Sequence, residues 1–296
     1  MSRKYTRYIS ITTIFYILLF LVCLACFYFS KDIREGFNSS SLEKNIWILW
    51  LQGWDSPPWL IQQVKKSWEK HNPGWKIHLL TEDNLSNYVD GIDYMNKDSI
   101  TPQAKSDIIR LSVLQKYGGV WADATLLCMK PLDNWIHQDI HPSGFWMYHG
   151  PGGGMNVAQG PASWFIVSRA NSYLISAWKK ECDSYWEMRS STDNYSWMDY
   201  LFRKLYESDP QFKKEWDAVP YISCEDVGQS HMFAGGAWKE NTEEIKKILN
   251  ERPPRVLKLW KNRWEEEFPD VTSEKCKESN GYYAIQRALN AIGLVN

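Results

Sequence analysis

Apolar and polar positions along this chain repeat with the periods of strands and helices in turn. Ile46 to Leu51 (I-W-I-L-W-L) is an unbroken apolar run and predicts a fully buried first strand. Gln52-Gly53 ends it. Asp55-Ser56-Pro57-Pro58 opens a helix with Leu60, Ile61, Val64 and Trp68 on one face, and Asn72-Pro73-Gly74 stops that helix. Lys76 to Leu80 predicts a second strand, and Thr81 begins a short acidic helix. Strand, helix and strand with connections this short predict a right-handed parallel βαβ unit. Further on, Trp164 to Ser168 reads as a strand, Ser172 to Met188 as a long amphipathic helix, Asp199 to Tyr206 as helix, and Val219 to Ser223 as a short strand. From Glu240 there follow a helix over Thr242 to Asn250, a Pro253-Pro254 break, a basic and aromatic stretch to Trp264, and a final helix from Gly281. The predicted fold class is α/β.

The chain is organised around Lys105 to Thr125. Thr101 is a good N-cap, Pro102 suits the first helical position, and Gly118 supplies the stop. At 100° per residue, Ala104, Ile108, Leu111 and Leu114 form one apolar stripe; Asp107 falls inside it and Arg110 at its edge. A carboxylate aimed at a core is costly unless it is paired or put to use. After Gly118-Gly119, the run Val120 to Leu127 predicts one strand, with Trp121, Asp123 and Thr125 on one face. Taken singly, Asp107 and Arg110 are a structural ion pair and Asp123 a satisfied strand-end carboxylate. Taken together, they are charged groups that a double-glycine turn brings to one end of a sheet, where ligands of open α/β sheets collect.

The amino terminus is of another kind. Tyr8 to Ser30 carries no charge and, at 1.5 Å per residue, reaches about 30 Å, enough to cross a bilayer. Arg3, Lys4 and Arg7 precede it, whereas Lys31, Asp32, Arg34 and Glu35 cancel, so residues 1–7 are expected in the cytoplasm, 8–30 as a signal anchor, 31–44 as a stem and 45–296 as the domain beyond the membrane. Cys23 and Cys26 fall in the anchor. Cys128, Cys182, Cys224 and Cys276 allow either two disulfides or four buried thiols. Asn38, Asn84 and Asn194 begin N-x-S acceptors, relevant only in a secretory lumen. With 34 basic against 35 acidic residues there is no electrostatic case for nucleic acid. Gly150 to Gly154 (G-P-G-G-G) is either an ordinary hairpin or a flap over substrate.

Ser106, Asp107, Arg110, Tyr117, Gly118, Gly119 and Asp123 carry a resemblance. They are similar to the S-D-x-x-R helix, Y-G-G turn and Asp-ending strand of the capsular polysaccharide synthesis family and its glycosyltransferase relatives with a DXD sugar-binding region. The likeness runs from about Ile46 to His231 and implies a GT-A fold, Rossmann-like, with a mostly parallel sheet. It implies a hexosyltransferase with a nucleotide-sugar donor and a glycan, glycoprotein or glycolipid acceptor, retaining anomeric configuration. By the same resemblance Asp107, Arg110 and Asp123 are catalytic. Trp50, Gln52, Gly53, Ser106, Tyr117, Gly118, Gly119 and Thr125 bind donor with them, and Asp123 and His231 hold Mn²⁺ or Mg²⁺. The implied location is a single-pass type II membrane protein, in the Golgi or another secretory membrane of a eukaryote or the cell membrane of a bacterium.

The motif departs from the family pattern in one respect: D-x-D is Asp123-Ala124-Thr125. A hydroxyl is a poor replacement for a carboxylate, so metal affinity falls unless His231 or Asp226 compensates, or the metal is dispensable. The competing function is a carbohydrate-binding protein that keeps the fold without catalysis. A glycoside hydrolase needs two facing carboxylates, and no obvious pair is present.

Overall fold

A computed structural model describes residues 41–90, 99–140, 143–150, 160–226, 229–233 and 236–290. The expected anchor, most of the stem, and the core of the G-P-G-G-G loop lie outside the described residues. Among those described, no helix is long and apolar enough to cross a membrane.

Strand β1 (Asn45–Leu49), helix α1 (Trp59–His71) and strand β2 (Lys76–Leu80) form the expected parallel unit, with Ile46 opposite Ile77 and Leu49 opposite Leu80. Leu60, Ile61, Val64 and Trp68 are buried along one side of α1. At about 1.5–3 kcal/mol for each fully buried large apolar side chain, that stripe decides where the helix lies. The Trp68 indole donates to the Leu126 carbonyl at 2.7 Å, so the helix is also registered against a later strand.

Helix α2 (Pro102–Tyr117) begins where the sequence indicates: the Thr101 side chain accepts from the Ala104 N–H. It ends at two glycines with positive φ, +62° at Gly118 and +101° at Gly119. L-residues are strained there, and a Cβ on either glycine would collide with Glu43 and Ala170 or with Asn45. The chain reverses into β3 (Gly119–Ala122), which runs parallel to β1. The expected single strand from Val120 to Leu127 is instead two. It breaks at Asp123, where the Leu126 N–H donates to the Asp123 carbonyl at 2.9 Å, and resumes as β4 (Leu126–Cys128) in a second sheet.

The main sheet has the order β2-β1-β3-β6-β5. Its β2-β1-β3 half is parallel; β6 (Pro161–Ser168) pairs antiparallel with β3 and with β5 (Phe145–His149). The sheet is therefore mixed, with a parallel half and an antiparallel half. Residues 150–160 are too few for the crossover that a parallel β5–β6 pair would need. Helices α3 (Tyr173–Glu187), α4 (Trp197–Ser208) and α5 (Pro210–Asp217) follow, and α3 buries Leu174, Trp178, Cys182 and Trp186. The strand expected at Val219–Ser223 is only a bridge between His149 and Ser223, since Pro220 has no N–H to give a ladder.

After α6 (Glu243–Glu251), strand β7 (Val256–Lys258) pairs antiparallel with β4. Helices α7 (Lys261–Glu267) and α8 (Asn280–Asn290) close the chain's described part. Cys128, Cys182, Cys224 and Cys276 are free, buried thiols.

Candidate active site

Because α2 and β3 are joined by a tight reversal, the two elements run in opposite directions. Ser106, Asp107 and Arg110, in the first two-thirds of α2, therefore stand beside the carboxyl end of β3. Arg110 is the hub. Its Nη1 lies 2.9 Å from Asp107 Oδ1, and its Nη2 lies 3.2 Å from Asp123 Oδ1. Nη1 also donates to the Ser163 carbonyl (3.1 Å) and hydroxyl (2.9 Å), and Nη2 to Ser106 Oγ (3.2 Å). The guanidinium sits 5.3 Å from the Trp121 ring centroid. The planar fork of an arginine suits such a set of acceptors, which a lysine could not serve.

Asp123 is held from all sides. Its N–H donates to the Trp164 carbonyl at 3.0 Å, extending the β3–β6 ladder by one residue. Oδ1 accepts from the Trp121 indole (3.0 Å) as well as Arg110, and Oδ2 accepts from Lys258 Nζ at 2.6 Å. Burial alone would raise its pKa, but Lys258 and then Arg110 outweigh that and hold the carboxyl below the usual range. Asp107 goes the other way. Burial pushes it up to about 7, against the pull of Arg110 and with help from Asp123 and Asp199. Two carboxylates in one cluster are thus kept in different protonation regimes.

Lys258 is the residue that sequence reasoning missed. It comes from β7, opposite Leu126 in the register, and the neighbouring Leu259 N–H donates to the Thr125 carbonyl at 2.9 Å. Its signal was the lone charge in V-L-K-L-W, between apolar neighbours of a short strand. Ser163, from β6, and Trp197, which hydrogen-bonds Asp107, were also missed.

Trp50, Gln52 and Gly53 form the turn after β1, at the same sheet edge as Asp123. The Gly53 N–H donates to the Trp50 carbonyl at 3.0 Å, Gly53 has φ +92°, and Lys261 Nζ lies 5.8 Å from the Trp50 ring. Tyr117, Gly118 and Gly119 lie elsewhere. They sit at the opposite edge, where β3 begins, and Tyr117 packs beside Trp47 and Tyr88. Three strand steps, about 10 Å, separate Gly119 from Ala122, so the structure does not bring these three to the cluster: they make the reversal that aligns α2 with β3.

The carboxylate named for a metal is already engaged. A divalent cation would sit about 2.0–2.6 Å from a carboxylate oxygen, yet Oδ2 of Asp123 already faces an ammonium and Oδ1 a guanidinium and an indole. His231 stacks on Trp164, with centroids 5.0 Å apart, and its Nδ1 lies 3.5 Å from Cys224 Sγ. Burial, then Lys258, pushes its pKa down to about 4, and its buried Nε2 has no partner among the described residues. Asp226 is exposed. Among the described residues no three His, Cys, Asp or Glu side chains gather as a metal site. The residues present do not fit a divalent cation.

The charged cluster of this mixed α/β domain stands at the carboxyl ends of its central strands, where ligands of open α/β sheets collect. The chain belongs to the capsular polysaccharide synthesis protein family, whose family model matches residues 28–276. It is 32% identical over 95 residues to the O-glycosyltransferase braB of Annulohypoxylon truncatum, covering 28% of this chain and 23% of that one. It is 29% identical over 108 residues to the initiation-specific alpha-1,6-mannosyltransferase of Candida albicans, covering 33% and 28%. The chain thus spans less than a third of the length of either relative. Among solved structures, the glycosyltransferase GlyE of Streptococcus pneumoniae aligns with a TM-score of 0.46 at 12% identity, covering 84% of this chain and 62% of that one.

Proposed function

We propose that this chain is a membrane-anchored glycosyltransferase. It moves a hexose from a nucleotide-sugar donor to a glycan, glycoprotein or glycolipid acceptor, with retention, and Tyr8 to Ser30 holds it in the membrane as a type II protein. The observation that carries the reading is the convergence of Asp107, Arg110 and Asp123 at the carboxyl edge of β3 in a chain of this family. The names of its curated relatives support it.

In this reading Asp107 accepts from, and Arg110 donates to, hydroxyls of the donor sugar. Asp123 is a positioning residue that fixes both cations. The turn bearing Trp50, Gln52 and Gly53 takes the nucleotide base, and Thr125 lines the same edge. No carboxylate in the cluster is free to act as a nucleophile, which suits retention by attack on the face that the leaving group departs from.

A donor screen that measures nucleoside diphosphate release by the full-length protein tests the proposal. Release with one sugar nucleotide, lost in Asp123→Asn, is the expected result. No release with any donor, together with measurable glycan binding, would replace the enzyme with a carbohydrate-binding protein.

A further inference from the structure

We infer that the Lys258 ammonium takes the place of a divalent cation against the diphosphate of the donor, so that transfer proceeds without metal. The inference rests on the glycosyltransferase reading above. Lys258 lies where a metal would bind, 2.6 Å from Asp123 Oδ2, and its side chain is only 13% exposed. It is fixed there by backbone on both sides: its own N–H donates to the Ser230 carbonyl and that of Leu259 to the Thr125 carbonyl, each at 2.9 Å.

The donor count exceeds what a structural ion pair needs. An ammonium has three donors, and among the described residues Nζ makes one hydrogen bond, to Asp123, beside a contact of 5.9 Å to the Trp164 ring centroid. Asp123 also accepts from Arg110. Arg110 also pairs with Asp107, and Asp199 acts on the same cluster, so what is in excess at Lys258 is donors rather than charge. A diphosphate supplies acceptors for the two remaining N–H groups of Lys258.

In the transfer step the anomeric carbon–oxygen bond breaks and its electron pair leaves on the diphosphate oxygen. The acceptor hydroxyl oxygen forms the new bond to the anomeric carbon, and its proton passes to a phosphate oxygen of the leaving group. Lys258 stays protonated throughout and stabilises the charge that accumulates opposite it.

The test is calorimetry of UDP and of GDP, each in EDTA, against the full-length protein, Lys258→Met and Lys258→Arg. Nucleoside diphosphate release is followed in parallel with EDTA or with Mn²⁺, and thermal denaturation checks that each variant is folded. One nucleotide should bind in EDTA, at least tenfold more weakly to Lys258→Met, with Lys258→Arg recovering part of the loss. Release by the wild type should be the same in EDTA and Mn²⁺ and fall about 100-fold in Lys258→Met. Nucleotide binding that requires Mn²⁺, no binding of either nucleotide in EDTA, or equal binding by a folded Lys258→Met would overturn the inference. EDTA-resistant, Lys258-dependent binding without release from any donor would sustain the cationic diphosphate site and remove the transferase reading alone.

Discussion

Arg110 Nη1 donates to both the carbonyl and the hydroxyl of Ser163, at 3.1 and 2.9 Å, and so ties helix α2 to strand β6 across the top of β3. The guanidinium is buried, with 7% of its side chain exposed, and its planar fork reaches Ser106, Asp107, Asp123 and Ser163 at once. Arg110→Lys keeps the charge but can reach only part of that set. We expect it to destabilise the fold by about 2 kcal/mol, within the range for breaking a buried charged network, and to lower kcat/KM at least 100-fold. Urea denaturation and donor turnover measure the two effects separately.

Replacing Asp123 has a cost that the sequence alone did not suggest. Asp123→Ala leaves Lys258 and Arg110 facing each other without their shared carboxylate. The expected loss is about 3 kcal/mol, the scale for an uncompensated buried charge, besides loss of turnover. The double variant Asp123→Ala/Lys258→Met should be more stable than Asp123→Ala itself. A double variant less stable than that single one would show that the two side chains are not coupled.

Asp107 gives the site a pH dependence near neutrality. Its folded pKa of about 7 lies above the unfolded value of 3.8, because burial outweighs Arg110. The folded state therefore holds the extra proton between those values, and its stability falls as pH rises from 4 to 7. If the ionised form accepts from the sugar, kcat/KM rises across the same region with an inflection close to 7. Asp107→Asn should flatten both profiles, whereas an inflection that survives in the variant assigns the titration to another group.

The glycine reversal predicts a separation of stability from chemistry. Gly119→Ala forces an L-residue to φ +101° and drives its Cβ into Asn45. We expect a loss of more than 2 kcal/mol, the combined scale of a left-handed strain and a backbone collision. Protein that remains folded should keep the wild-type KM for donor. A raised donor KM in folded Gly119→Ala would return these glycines to the binding site.

What the sequence made legible was whatever is encoded locally. Thr101, Pro102 and Gly118 delimit α2 within one residue, and the buried stripe of α1 was plain from Leu60 to Trp68. The carboxylate in the apolar stripe of α2 pointed to Arg110 and Asp123, which the fold does bring together. The illegible parts depend on distance along the chain. Nothing near Asp123 signals that its apolar strand changes sheets, because β3 and β4 are equally buried and equally apolar. Strand direction is likewise absent from a local pattern, so the antiparallel β6 was invisible. Lys258 meets Asp123 across 135 residues through a three-residue strand, too short for any periodicity to reveal.

The break at Asp123 has a consequence for how the molecule comes into being. Since β4 leaves the main sheet to pair with β7, the acid of the cluster waits for a cation that the ribosome delivers far later. The final third of the chain, which resembles an appendage when read in order, is the keystone that locks the cluster shut. A protein shortened before residue 256 would retain the Asp107–Arg110–Asp123 signature and still lack both the β4–β7 seam and Lys258.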